Sequence, residues 1–431
     1  MKKDINIAII GLGQIGIYLY NELNIKKKDI ELKTGKKINI LAISAKNKNK
    51  KRRFKINKNI FYNNPLEIIK KKNIDIVFEL IGFSDGISKE VVEAALKNKI
   101  HVITANKALI AKHGDYLSDL AEKNSVNLEF EAAVAGGIPI LRSIKEGLST
   151  NKITKVYGIL NGTCNYILSE MENSKDIFAN VLKKAQELGY AELLNPRLDL
   201  NGSDAFSKIR ILSSLCFNSK VSKSKCLIEG IDNIDIKDIE IASQLNMRIK
   251  LLGISEIING QLFERVHTCL VSKDSYIGNV NGVMNAVILH GKPIGNSYFQ
   301  GEGAGPGPTS SSLLSDMLSI LRGNIKNPFA ISGKNRKFLK SYNFNNYINS
   351  LYLRFEVKDK PGVLSVITNR LAKYKISVKR LIQTPNNKKN IASIVIITHK
   401  SNESNFKNCL SAFKNNKNIL KPITIIRLYN E

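Results

Sequence analysis

Asp204 and Lys208 stand four residues apart in the run Gly202-Ser203-Asp204-Ala205-Phe206-Ser207-Lys208. On a helix that spacing puts a carboxylate and an ammonium on one face. On an open helix surface such a pair stabilises by only about 0.2–0.5 kcal/mol. Here Ile209, Ile211, Leu212 and Leu215 continue the segment, so the helix is expected to be packed and the pair held in place. A lysine held beside an oxygen that is gaining negative charge can stabilise that charge and supply or relay a proton.

A different chemistry is written at the N-terminus. The segment Gly11-Leu12-Gly13-Gln14-Ile15-Gly16 follows an apolar run and opens a helix-like stretch. GxGxxG alone is a weak signal; between a strand and a helix it reads as a dinucleotide loop. Gly11 allows the tight turn, Gly13 lets a pyrophosphate approach the backbone, and Gly16 lets the helix pack close to the strand. The helix N-terminus then offers amide donors to the phosphates. Sites selective for NAD place an Asp or Glu at the end of the second strand. This chain has Ser44-Ala45-Lys46-Asn47-Lys48 there, then Lys50, Lys51, Arg52 and Arg53. The cations favour NADPH. NADH stays the alternative, because surface lysines are abundant throughout the chain.

The elements that must position these groups follow from hydrophobic periodicity. Short apolar runs at Ile5–Ile10, Ile38–Ile43, Asp75–Leu80, His101–Thr104 and Leu128–Phe130 alternate with helical stretches such as Ser88–Asn98. Alternation of this kind predicts an α/β fold opening on a Rossmann-type parallel sheet. From about Pro139 the pattern becomes α+β, with a strand at Ile153–Leu160 and an apolar helix at Ala205–Phe217. A glycine-rich loop, Gly301–Gly307, precedes a helix at about Ser310–Leu321, and the polar stretch Gly323–Ile348 reads as a linker. The expected units are 1–135, 136–322 and 349–431, joined by the linker 323–348, with 301–325 packing back onto the first unit.

Composition excludes several classes. Lys plus Arg number 66 against 37 acidic residues, a net charge of +29, which invites a nucleic-acid reading. The lysines are spread along the chain among Asn and Ile, with no basic–aromatic array and no Arg-rich helix, so no nucleic acid is expected. The cysteines Cys164, Cys216, Cys226, Cys269 and Cys409 form no CxxC, which argues against a disulfide framework or a zinc site. No run of about 18 or more apolar residues is present, and the first apolar run lacks a cleavage-type site, so neither a membrane helix nor a signal peptide is expected. A cytoplasmic protein with reduced thiols is the expectation.

Six stretches occur in order over about the first three quarters of the chain: Thr104-Ala105-Asn106-Lys107-Ala108-Leu109, Glu131-Ala132-Ala133-Val134-Ala135-Gly136-Gly137-Ile138-Pro139, Gly158-Ile159-Leu160-Asn161-Gly162-Thr163-Cys164-Asn165-Tyr166-Ile167-Leu168, Gly189-Tyr190-Ala191-Glu192, Gly202–Lys208, and Gly301-Glu302-Gly303-Ala304-Gly305 with Pro308-Thr309. Together they resemble the homoserine dehydrogenases. The resemblance implies nicotinamide-dependent reduction of L-aspartate 4-semialdehyde to L-homoserine, on the route to threonine, methionine and isoleucine. It implies Lys208 as principal acid/base, Lys107 as a second cation at the cofactor–substrate junction, and Asp204 as orienter of Lys208 and substrate contact. Glu192 and Asp199 would hold the substrate amino group. Thr104, Lys107 and Gly305 would join Lys46 and the 11–16 loop around the cofactor. It further implies a monovalent cation such as Na+ at Glu131, Val134, Gly136 and Ile138, and a homodimer or homotetramer with dimerisation in the middle unit. Two departures stand beside the substrate site. Cys164 replaces a usual Thr, and the stretch Leu193-Leu194-Asn195-Pro196 makes the path from Glu192 to Asp204 one residue longer than usual, with Asn195 where an Asp is common.

At the C-terminus, Arg354-Phe355-Glu356-Val357-Lys358-Asp359-Lys360-Pro361-Gly362-Val363-Leu364 resembles the opening of an ACT domain, a ligand-sensing module of ferredoxin-like fold. Ile376–Gln383 and Ile394–His399 suit its second and third strands. The resemblance and the logic of feedback make threonine the expected effector, and truncation near Asn345 is expected to leave an active, insensitive core. No kinase-like portion precedes the first strand, so fusion to aspartate kinase is not expected. The competing readings are an aspartate-semialdehyde dehydrogenase, which needs a catalytic Cys and leaves the Asp204/Lys208 helix unexplained, and a nucleotide-binding regulatory protein without turnover. His101 and His113 are read as structural, and Cys164 lacks an activating His.

Overall fold

The computed structural model describes residues 3–70, 73–192, 196–386 and 390–429. Its first sheet contains β1 (Asp4–Ile10), β2 (Lys37–Ser44), β3 (Phe61–Tyr62), β4 (Ile76–Glu79), β5 (His101–Thr104) and β6 (Leu128–Glu129), in the order β3-β2-β1-β4-β5-β6. Every neighbouring pair is parallel. Helices cover both faces, which is why Ile7, Ala8 and Ile9 are all fully buried and β1 reads as a continuous apolar run. The chain leaves β1 toward β2 and returns on the other side at β4. That reversal opens a crevice beyond the carboxyl ends of β1 and β4, where ligands of such sheets bind. Two-residue β3 has no periodic run to announce it.

The rest of the chain builds one larger sheet. It takes β7 (Lys152–Ile159), β8 (Leu227–Ile228), β9 (Met247–Ile258), β10 (Gln261–Ser272), β11 (Met284–Lys292) and β12 (Gly295–Glu302) from the middle of the chain. After the short β13 (Ile348–Asn349), the C-terminal unit supplies β14 (Leu351–Lys358), β15 (Val378–Asn386) and β16 (Ile391–Thr398). The short β17 (Ser401–Asn402) pairs with β13, and β18 (Thr424–Leu428) ends the series. The strand order is β12-β11-β7-β9-β10-β18-β14-β16-β15, with β8 off the path on β10. Within the C-terminal unit, β18-β14-β16-β15 is the ferredoxin-like order, with helices Val363–Lys373 and Glu403–Ser411 as its crossovers.

That unit is not a separate bead. β18 pairs parallel with β10, Cys269 opposite Arg427 and Leu270 opposite Leu428. Arg354 on β14 reaches both carboxylate oxygens of Asp238, on helix Ile236–Gln244, at 2.6 and 2.9 Å. Residues 323–348, read as a linker from their polarity, lie against the body. Phe329 is fully buried, the Arg336 guanidinium pairs with Asp115, and Tyr342 N–H donates to the Leu262 carbonyl at 2.8 Å. Its few apolar anchors are too far apart to show as a periodic pattern.

The glycine-rich stretch 301–307 is shorter as a loop than its composition suggests. Gly301 and Glu302 end β12, and Pro306 already begins helix Pro306–Leu321. Proline suits that first turn because its missing N–H would be unpaired there. This helix packs Leu313, Met317 and Leu321 with Leu12, Ile17 and Leu19 of the first unit.

Candidate active site

At the carboxyl end of β1, Gly11 has φ +105°, and a Cβ there would stand 2.4 Å from the Leu80 carbonyl oxygen. A Cβ on Gly16 would stand 1.9 Å from the Gly11 oxygen. Both glycines are demanded by contact inside the protein. Gly13 differs: a Cβ on it would meet nothing within 4 Å. Its backbone faces the open crevice and precedes helix Gln14–Ile25, with no side-chain cap on the helix amides. Free amides at a helix N-terminus facing open space fit a pyrophosphate. Gln14 is exposed, Ile15 is half-buried, and the Leu12 side chain turns into the core. Gly305, φ +110°, stands just before the neighbouring helix Pro306–Leu321, whose Gly307 lies beside Tyr18.

Lys46 is exposed just past β2. Arg52 is engaged in its own loop, donating to the carbonyls of Asn47, Lys48 and Lys50 at 2.6, 3.2 and 3.0 Å. Of the cations read at this position, it holds the loop's shape.

Thr104 is fully buried, and its hydroxyl donates to Glu79 Oε2 at 2.7 Å. Glu79, also fully buried at the end of β4, accepts from Ile81 N–H at 2.8 Å and the Ser88 hydroxyl at 2.7 Å through Oε1. Asn106 donates to Ser88 Oγ at 2.9 Å and the Phe83 carbonyl at 2.7 Å, and accepts from Leu109 N–H at 3.0 Å. Asn106 thus caps helix Lys107–Lys123, and the network fixes where Lys107 begins. The Thr104 side chain supports the crevice from within. Glu79, Ser88 and Asn106 were not singled out in the sequence. A Glu ending an apolar strand was the one available signal, since a carboxylate buried there must find donors.

Asp204 and Lys208 lie on helix Ser203–Cys216, 9% and 8% exposed, which is what their apolar neighbours implied. Close approach of this helix to the sheet needs Gly253 on β9, where a Cβ would stand 2.8 Å from Leu160 and 3.4 Å from Ile209. Lys208 Nζ donates to Asp204 Oδ2 at 2.8 Å and to the Leu160 carbonyl at 2.7 Å. Lys107 Nζ lies 2.9 Å from Asp204 Oδ1. Asn161 Nδ2 donates to Asp199 Oδ1 at 2.8 Å and to Asp204 Oδ2 at 3.0 Å, while its oxygen accepts from Cys164 N–H at 2.8 Å. Asn161 therefore caps helix Gly162–Ser174 and bridges two carboxylates. An Asn-Gly-Thr turn announces the cap; the bridge is a tertiary contact with no sequence signal.

Burial pushes the Asp204 carboxyl up, but the charges of Lys208 and Lys107 outweigh it and hold the group well below the usual carboxylate range. The charge of Asp204 raises Lys107 against the effect of burial. Burial, then the charge of Asp204, raises Asp199. Glu192 is exposed at the rim, and its charge also favours the protonated form of Lys107. Leu193, Leu194 and Asn195, where the chain departs from the family pattern, lie outside the described residues. Burial pushes the Cys164 thiol far above its ordinary value, and it donates to the Asp199 carbonyl at 3.3 Å, so it is no nucleophile.

At the hinge, Glu131 is buried and its two carboxylate oxygens accept from Leu141 and Arg142 N–H at 2.8 and 2.7 Å. The Gly136 carbonyl accepts from Ser312 at 2.6 Å. Val134 and Ile138 are buried on either side of that turn. Among the described residues no group of three or more His, Cys, Asp or Glu could hold a metal ion. His101 Nδ1 accepts from Asn127 N–H at 3.0 Å. His113 has a carboxylate partner after all, Asp85 at 2.9 Å, brought from the previous crossover. No described helix is long and apolar enough to cross a membrane.

Known proteins carry the same combination. The family model for homoserine dehydrogenase matches residues 139–318, that for the homoserine dehydrogenase NAD-binding domain matches 11–131, and that for the ACT domain matches 351–417. A homoserine dehydrogenase of Neisseria gonorrhoeae is 38% identical over 432 residues, covering 99% of both chains. One from Pseudomonas aeruginosa is 35% identical over 441 residues, again covering 99% of both. The crystal structure of a homoserine dehydrogenase from Thiobacillus denitrificans superposes with a TM-score of 0.89 at 33% identity, covering 99% of each chain. A glycine cradle facing an open crevice, two lysines on one buried aspartate and full-length likeness agree: this chain belongs to the homoserine dehydrogenases.

Proposed function

We propose that the chain reduces L-aspartate 4-semialdehyde to L-homoserine, reversibly, with NADPH. The observation that carries the reading is the Asp204 carboxylate shared by Lys208 and Lys107. Bound in the crevice, the reduced nicotinamide supplies the hydride for the aldehyde carbon. Lys208 gives two of its three N–H bonds to Asp204 and Leu160, which leaves one to aim at the substrate oxygen. That proton neutralises the alkoxide as it forms. Asp204 keeps the ammonium oriented, and Lys107, at the more open side, adds positive potential. Asp199 and Glu192 supply acceptors for the substrate ammonium.

Support for NADPH over NADH is the absence of a carboxylate in Ser44–Arg53 and the exposed Lys46. Support for a monovalent cation such as Na+ at Glu131, Val134, Gly136 and Ile138 is the burial of three carboxylates, Glu129, Glu131 and Asp316, beside that turn, with Lys145 and Arg142 as their cationic partners among the described residues. Such a cation would draw on the Glu131 side chain and the backbone carbonyls of Val134, Gly136 and Ile138, since each Glu131 oxygen accepts one N–H and keeps a lone pair. Threonine as effector is supported by a cavity of about 350 Å³ at the turn of the C-terminal unit, lined by Asp359, Pro361, Gly362 and Gln383. A homodimer or homotetramer in the cytoplasm completes the reading; the five cysteines, all free, suit a reducing compartment. The deciding experiment follows nicotinamide absorbance with homoserine and each cofactor. Turnover with no phosphate requirement is expected. Cofactor binding without turnover would leave a nucleotide-binding regulatory protein instead.

A further inference from the structure

A second polar cavity, of about 680 Å³, lies where the C-terminal unit meets the catalytic sheet. Lys155 on β7, Glu256 on β9 and Arg265 on β10 line it from the catalytic sheet; Lys379 on β15, His399, Lys400 and Tyr429 line it from the C-terminal unit. Four of these side chains are cationic and one is anionic. In a chain so rich in lysine, a cationic surface by itself means little. Two buried groups make this cavity different.

Arg265 is 1% exposed, yet its Nε and Nη1 have no hydrogen-bond partner among the described residues. Its Nη2 donates to Glu256 at 2.7 Å, and its guanidinium lies against the rings of Phe263 and Tyr347, 4.1 and 4.7 Å from their centroids. The Tyr429 hydroxyl is likewise buried without a partner. Its ring carries the Lys155 ammonium at 4.6 Å. Buried donors left unpaired are costly, and native proteins pair nearly all of them. A planar guanidinium and a hydroxyl among ammonium groups are the donors that recognise oxyanions.

We propose that this cavity binds a small oxyanion carrying two or more negative charges, a phosphate or a dicarboxylate. The site lies apart from the cofactor crevice and from the Pro361–Gly362 turn. Its donors come from both units, so the ligand bridges them, and its binding and the docking of the C-terminal unit reinforce each other.

The test is isothermal titration of the full chain, with the cofactor site saturated by NADP+ and ionic strength held constant with NaCl. Inorganic phosphate is one probe and succinate the other. Saturable binding of at least one is expected, weakened about tenfold or more in the double variant Lys379→Gln/Lys400→Gln, whose exposed side chains are dispensable for folding. Binding of phosphate alone assigns a phosphorylated ligand; binding of succinate alone assigns a dicarboxylate. No saturable binding of either probe overturns the proposal. So does binding that the double variant leaves unchanged, which would place the anion elsewhere.

Discussion

Asp204 and Lys107 belong to different structural units, yet their charged atoms lie 2.9 Å apart. The contact spans the cleft between the cofactor sheet and the substrate helix. It ties the start of helix Lys107–Lys123 to helix Ser203–Cys216 through one ion pair. Lys208 holds the other oxygen of the same carboxylate, at 2.8 Å.

Lys208→Ala should lower kcat by about 10²–10⁴-fold and leave cofactor affinity nearly unchanged, because the lost cation acts on charge formed in the transition state. Steady-state kinetics with a separate cofactor titration checks this. An unchanged kcat with only a raised KM would remove Lys208 from proton transfer.

Asp199→Asn should raise Tm at neutral pH by roughly 1–2 °C while weakening homoserine binding. The sign follows from burial and the charge of Asp204, which raise the folded-state pKa of Asp199. A group raised in the fold contributes stability below its unfolded pKa and loses it as pH rises through the folded value. At pH 7 its charge is a net cost, which the amide removes. Asp204 runs oppositely: its lowered pKa gives stability at neutral pH that is lost as pH falls through the folded value. Thermal melts of the wild type, Asp199→Asn and Asp204→Asn between pH 3 and pH 8 separate the two behaviours.

Catalytic efficiency with NADPH should exceed that with NADH, and Lys46→Glu should narrow or reverse the ratio by placing a carboxylate where the 2′-phosphate would sit. A wild-type preference for NADH would mean that Lys46 plays no part in cofactor choice.

Glu79→Ala should strip acceptors from Thr104, Ser88 and Ile81 at once. Each orphaned buried donor costs about 1–3 kcal/mol. Lower Tm and weaker cofactor binding are expected, with Glu79→Gln recovering a large part of both because its carbonyl still accepts. Equal loss in the two variants would show that the charge, and not the acceptor geometry, matters.

Threonine should inhibit the full chain, and Gly362→Ala should shift the inhibition curve about tenfold to higher threonine while sparing kcat. Gly362 has φ +84°, a conformation that costs a side chain about 1–2 kcal/mol. Inhibition requires tighter binding to the less active state. An identical curve in both proteins would move the sensing site off this turn.

Much of the site was legible because its residues sit on local patterns: GxGxxG between strand and helix, and Asp204 and Lys208 on an apolar helix. The Glu79 network and the Asn161 bridge were not, since each depends on side chains from several crossovers meeting in space. The C-terminal unit was readable as three strands and a turn, while its seat was invisible. The pairing of β18 with β10 joins residues more than 150 positions apart, and no periodicity encodes a partner. The same holds for Arg354 and Asp238, each unremarkable in its own segment.

The place of β18 changes what removing the C-terminal unit would do. Cutting near Asn345 takes a strand out of the catalytic sheet and bares the edge of β10 as an open template for pairing with other chains. It also strands Asp238 without Arg354. An insensitive core made this way should be prone to aggregate, so loss of regulation is better sought in point variants. During synthesis, the strand that completes the middle sheet leaves the ribosome only after the other strands of the C-terminal unit. The enzyme's central layer is therefore finished only after the rest of its C-terminal unit has been made, and the two should melt in one transition.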